Sequence, residues 1–342
     1  MNLKLETPRA VLAARASKKG WNWFVELLVF VLMFFIVTIG EVLVMLPIEL
    51  VVMFTDKEYI TAIQTGDQAL MLEAANRIAS SDALVIGMLF ANIAMILITM
   101  LFCKTIQKRS MRTLGFVKKD IGKEYGIGLL IGFGIFTAAV LIGIVTGTVR
   151  IEGFSSTFAP GIFVLFGLGY MIQGMAEEVL CRSYLMVSIA RRYPIWVAVI
   201  LNALFFAALH LGNSGISPLA FVNLTLFGVF ASVYFIKRGS IWGIGAIHSI
   251  WNFVQGNFYG IKVSGMDTTC SVLESVSVEG GDLVNGGAFG LEGGLAVTIV
   301  LVVGTLVMLT RPAKDAAVEA PVTEGEAVCE NTETVTEITE EM

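Results

Sequence analysis

The stretch GMAEEVLCRSYLM, residues 174–186, puts two adjacent glutamates and an arginine inside an apolar run long enough to cross a bilayer. A charge at membrane depth costs about 2.5–3.5 kcal/mol even on the lenient insertion scale, so such groups are site candidates by default. Glu178 and Arg182 stand at i,i+4 with the acid first, the favourable order for an ion pair on one helix face. Glu177 points about 100° away around the helix and is free for another partner. The chain has only two histidines, and both lie in other apolar runs. His210 ends NALFFAALH; His248 opens HSIWN, where Asn252 shares its helix face. Two carboxylates and two imidazoles offer either metal ligands or a general base with an orienting partner. An adjacent His and Asn can donate hydrogen bonds to a developing oxyanion. No G-x-S-x-G occurs, so the set favours attack by water on an amide over a serine nucleophile. The bland alternative is that Glu178 and Arg182 only fix helix packing and that each histidine is a packing residue. It explains each feature singly but does not require all of them at one depth. Glu26, Glu41 and Glu49 on the first apolar run receive the packing reading.

These groups must be carried by membrane helices. Of 342 residues, 56% are hydrophobic and only 15% charged, with a mean hydropathy of +0.80. A soluble domain is about 25% charged. The expected fold is therefore an all-α, polytopic transmembrane helix bundle in a lipid bilayer. At about 20 residues per crossing, eight stretches qualify or nearly so: 24–53, 83–103, 125–149, 161–189, 194–211, 217–236, 241–259 and 293–310. Eighteen of the 23 Lys and Arg fall in segments that this count puts in the cytoplasm, and only Lys57, Arg77, Arg150 and Lys262 fall opposite. By the positive-inside rule both termini are cytoplasmic. Residues 1–23 read as a basic cytoplasmic segment, 24–310 as the transmembrane domain, and 311–342 as a disordered tail. From Asp315 onward that tail holds nine acidic residues and no base. Residues 55–82 are expected to hold a short amphipathic helix around DQALMLEAANRIA, whereas the glycine-rich 261–292 reads as a flexible loop. Four cysteines without a C-x-x-C suggest neither a zinc knuckle nor a disulfide framework. No internal repeat is visible, which weighs against an inverted-repeat transporter using the glutamates as a proton relay.

Helix rise places the candidate groups at one level. Glu178 lies about 20 Å from Arg191, His210 about 24 Å from Pro194 and His248 about 15 Å from Arg238. The expectation is a single site reached from the cytoplasmic side.

At this point the motifs resemble a known family. EEVLCR at 177–182 looks like the E-E-x-x-x-R motif of the CPBP family, the CAAX prenyl endopeptidases and bacteriocin-processing enzymes. FAALH at 206–210, with Phe206 as its first residue, resembles the F-x-x-x-H motif, and HSIWN at 248–252 the H-x-x-x-N motif. KRSMRTLGF at 108–116 is similar to the segment leading into that core, which would span 104–259. The resemblance implies an intramembrane protease hydrolysing a peptide bond in a site open to the cytoplasm. Glu177 would deprotonate water held by His210. His248 and Asn252 would polarise the scissile carbonyl, and Glu178 with Arg182 would order the site or grip substrate. The family is named as metallopeptidases: Glu177, Glu178, His210 and His248 could hold Zn2+, and the same atoms serve a metal-free glutamate mechanism, which is the preferred expectation. The implied partners are a peptide or protein substrate, membrane-associated or lipidated, and the bilayer, with no role for nucleic acid. The implied location is a bacterial plasma membrane. The alternative is a non-catalytic membrane protein acting in bacteriocin immunity or as a scaffold.

Overall fold

The computed structural model describes residues 5–17 and 20–314; the expected acidic tail beyond Lys314 lies outside the described residues. A short helix α1 (Arg9–Ser17) precedes α2 (Trp23–Thr55), which is capped by the Asn22 side chain accepting from Val25 N at 3.0 Å. Then come α3 (Lys57–Thr65) and α4 (Gln68–Ala79), followed by α5 (Asp82–Ala91) and α6 (Ile93–Thr105). The last two are halves of one rod interrupted at Asn92, whose side chain donates back to the Met88 carbonyl at 2.8 Å. Next are α7 (Ile121–Val145), strand β1 (Val149–Phe154) and α8 (Pro160–Glu178), which runs through a π-helical stretch, Val179–Met186, into α9 (Val187–Ala190). The chain continues with α10 (Ile195–Ala208), α11 (Pro218–Arg238) and α12 (Ile241–Phe253), the last again followed by π-helix, Val254–Phe258. Strand β2 (Leu273–Ser277), α13 (Asp282–Asn285) and α14 (Leu295–Thr310) complete it.

Each of the eight expected stretches falls on a helix. Five among the described residues are long and apolar enough to cross a membrane, namely Trp23–Thr55, Asp82–Thr105, Ile121–Val145, Pro160–Ala190 and Pro218–Arg238. Ile195–Ala208 and Leu295–Thr310 are apolar but shorter. Local chemistry explains the boundaries. Pro160 and Pro218 occupy first-turn positions, where a missing N–H costs nothing. Ser217 and Ser240 accept from backbone N–H groups at the starts of α11 and α12, and Gly239 ends α11 in the left-handed region at φ 66°.

Two expectations need correction. The fold is not purely helical, because β1 pairs antiparallel with β2 across a bulge between Ile151 and Gly153. Nor is 261–292 a flexible loop. It supplies β2 and α13 and is tied down by buried polar groups. Glu292 accepts from Trp251 Nε1 at 3.0 Å and from Ser264 N and Oγ at 2.8 Å each, while Asn285 donates to the Thr148 carbonyl at 2.8 Å. The glycines that suggested mobility let the backbone fold tightly: Gly265, Gly286 and Gly290 have φ of 87°, 81° and 93°. The amphipathic helix expected in 55–82 is present as α4, beside an unanticipated α3.

The basic segments gather at one end of the bundle. Arg15 Nε donates to the Ala190 carbonyl at 3.0 Å, Ile241 N to that of Gly115 at 3.0 Å, and Lys314 N to that of Lys237 at 2.8 Å. Arg109 is buried there, donating to the Ser183 carbonyl at 2.7 Å and to Gln107 Oε1 at 2.9 Å; burial pushes its pKa down to about 10. The opposite end carries α3, α4, the β1–β2 pair and the 261–292 cap.

Small residues bring the motif helices close together. A Cβ on Gly174 of α8 would sit 2.5 Å from Ser249 N of α12, and one on Gly128 of α7 would strike the Gly243 carbonyl of α12. Gly174→Val should therefore destabilise by about 1–3 kcal/mol through overpacking, read as a lower melting temperature in detergent. Gly126→Ala, which meets nothing within 4 Å, should leave the melt unchanged.

Candidate functional site

Glu177 and Glu178 end the regular part of α8, and the turn they occupy faces α12 and α10. The neighbours have different fates. Glu178 is fully buried, with Oε1 3.0 Å from Arg182 Nη1 and accepting from His248 Nδ1 at 2.8 Å. Glu177 is 21% exposed and lies 3.7 Å from His248 Nε2. It also accepts from Gln173 Nε2 at 2.5 Å, and Gln173 Oε1 in turn accepts from Asn252 Nδ2 at 3.0 Å. The i,i+4 spacing on α12 thus sets His248 against one glutamate and Asn252 against the partner of the other.

Phe206 fills the space between these groups. The Arg182 guanidinium carbon lies 4.4 Å from its ring centroid, a cation–π contact that supports a cation whose hydrogen-bond geometry is incomplete. The same ring stands 4.9 Å from the His210 ring and 6.0 Å from that of His248. His210 Nδ1 lies 2.9 Å from the Phe206 carbonyl. A carbonyl and a carboxylate only accept, so both imidazoles donate through Nδ1 and keep Nε2 free.

Glu177, His210, His248, Asn252 and Phe206 all line one cavity of about 630 Å3. Glu178 and Arg182 do not; they lie behind its wall, so neither is placed to grip a substrate. The structure therefore unites the expected set but divides it into groups on the cavity and groups that hold them. Gln173, Phe227 and Glu292 were missed. Gln173 was findable, since a polar residue four before Glu177 in an apolar run shares its face. Phe227, 4.9 Å from the His248 ring, and Glu292 gave no local signal. Glu41, read from the sequence as a packing residue, has a buried Oε1 with no hydrogen-bond partner among the described residues.

The cavity mouth is not where the sequence put it. Its exposed rim includes Ala79, Ser80, Met266, Asp267 and Thr269, all at the end opposite the basic segments. Among the described residues none of its lining comes from 104–124, 187–194, 237–241 or 311–314. The expected opening at the basic end is thus corrected. Distances of about 15–24 Å from that end, in a hydrocarbon layer about 30 Å thick, leave the other face generally nearer.

The donor set fits a zinc ion poorly. Glu178 is committed to Arg182 and His248, and among the described residues no three His, Cys, Asp or Glu side chains are grouped to hold a metal. Cys103, Cys181 and Cys270 are free and buried.

Fold and cavity together define a helical multi-pass membrane protein with a carboxylate–imidazole site in its interior. Residues 159–254 match the family model described as type II CAAX prenyl endopeptidase Rce1-like. That segment holds all three motifs. Comparison with curated proteins and with solved structures finds no match.

The buried Glu178–Arg182 pair makes a distinct prediction. Glu178→Leu or Arg182→Met alone strands a charge and should cost about 3–5 kcal/mol, whereas the double variant should cost less than either. Melting temperatures of the four proteins in one detergent measure this.

Proposed function

We propose that this chain is an intramembrane endopeptidase of the CPBP type, with Glu177 as the base that activates water. The observation that supports this most is the division of labour between the adjacent glutamates: one partly exposed on the cavity, the other sealed behind it. At 3.7 Å from His248 Nε2, Glu177 Oε2 makes no direct hydrogen bond to that ring and is left to accept from a water in the cavity.

In this reading Glu177 takes a proton from that water as its oxygen attacks the scissile carbonyl carbon. His210, across the cavity, holds the water from its free Nε2. The tetrahedral oxyanion receives a hydrogen bond from the second N–H of Asn252, the first being engaged by Gln173. The Glu178 carboxylate fixes the His248 ring through Nδ1 and so aims its Nε2 edge at the cavity. Glu177 then returns its proton to the leaving amine, and the C–N bond breaks. Glu178 and Arg182 are positioning residues: they hold the imidazole without touching substrate. The apolar lining by Phe34, Leu224 and Leu301 suits a membrane-associated peptide.

Processing of a candidate peptide library by purified, reconstituted protein tests the reading. Glu177→Ala should abolish cleavage, a loss of at least about 100-fold as for a general base, with membrane abundance and melting temperature retained. Wild-type-like processing by that variant would remove the proposal. Insensitivity to a chelator is expected for the metal-free route, and loss of activity restored by added zinc would replace it.

A further inference from the structure

We propose that the cavity faces away from the cytoplasm, and that its substrate is a peptide segment presented on the non-cytoplasmic side of the membrane. Two independent asymmetries carry this. The first is charge. Among the described residues fifteen Lys and Arg lie in the segments packed at one end, including Arg109, Lys118, Arg191 and Lys314. The other end, residues 55–82, 146–159, 209–217 and 259–294, holds four bases against eleven acids. Short segments rich in Lys and Arg are retained in the cytoplasm, so the basic end is cytoplasmic and the acid-rich end is outside.

The second asymmetry is the cavity itself. Its exposed rim at Ser80, Met266, Asp267 and Thr269 belongs to the acid-rich end. Its floor, Leu180 and Cys181, continues into the buried π-helical stretch whose Ser183 carbonyl is hydrogen-bonded by Arg109 from the basic end. A buried guanidinium and its partners thus close the cytoplasmic side. The cap that frames the mouth is rigidly attached: Asn213 Nδ2 donates to the Ser264 carbonyl at 3.1 Å, and Thr269 Oγ1 bonds Asp82.

The chemistry of the walls narrows the substrate. An apolar shaft, with Phe34, Met88 and Leu301 among its lining, leads from an acidic rim to the carboxylate and imidazoles. That sequence of surfaces suits the outer end of an apolar, membrane-resident segment flanked by neutral or basic residues. A lipid-modified tail held at the cytoplasmic leaflet would instead meet the closed, basic end. The substrate clause rests on the proposed peptidase; the orientation does not.

Cysteine accessibility separates the two. In a Cys329→Ala background the remaining native cysteines are buried, so Glu73→Cys, Glu279→Cys and Lys118→Cys each offer one exposed thiol. A membrane-impermeant maleimide should label the first two in intact cells and the third only after permeabilisation. Labelling of Lys118→Cys in intact cells, with the other two protected or equally labelled, overturns the orientation. For the substrate clause, cells expressing Ser80→Cys are treated from outside with a bulky impermeant maleimide, and processing of a reporter with an apolar segment and an exterior cleavage site is followed. Loss of processing is expected. Continued processing with Ser80→Cys fully labelled, or equal processing of a reporter whose site is cytoplasmic, overturns the clause. Labelling as expected with no peptide cleaved by wild type removes the peptidase reading and leaves the orientation standing.

Discussion

Everything at the centre of this bundle depends on one anion with no access to water. Glu178 is fully buried, and its Oε1 serves both the Arg182 guanidinium and the His248 ring. Desolvating a carboxylate and a guanidinium together is tolerable only with close geometry, since the attraction must offset several kcal/mol per ion. That requirement brings α8 against α12 at Gly174 and places Phe206 of α10 under Arg182. Three helices are therefore registered by one charge arrangement. The imidazole orientation follows from it, because Nδ1 is committed to the buried anion and Nε2 is left for the cavity.

The outer cap does a different job with similar means. Glu292, buried and accepting from Trp251 and Ser264, joins the 261–292 segment to the helix that carries His248 and Asn252. Asn223 of α11 adds two donations, to the carbonyls of Glu292 and Gly294 at 2.7 and 2.8 Å. A glycine-rich segment becomes a fixed rim because its own backbone groups and the helices below share these polar side chains. The result is a shaft with a wet mouth at one end and packed side chains at the other.

The same asymmetry appears in the charges. Basic residues line the closed end and acids the open one, so the direction of approach is written into electrostatics as well as shape. Adjacent residues of identical type differ accordingly: Glu177 meets the cavity and Glu178 does not, because one residue of helix rotates the side chain by about 100°.

Much of this was legible in the amino-acid order. The apolar runs located every long helix, since a bilayer demands about 20 residues that satisfy their own backbone groups. The i,i+4 pairs Glu178–Arg182 and His248–Asn252 were readable as shared faces because helix periodicity is local. Scarcity helped too: with two histidines in the chain, finding both at membrane depth singled them out. What the linear pattern did not contain was everything set by contacts between distant segments. The ordered 261–292 cap depends on Trp251 and Asn223, and the β1–β2 pair joins residues more than a hundred positions apart. Whether a glutamate is sealed or exposed, and which end of the shaft is open, depends on where neighbouring helices leave space. Local spacing determines which side chains share a face; only packing decides which face meets water.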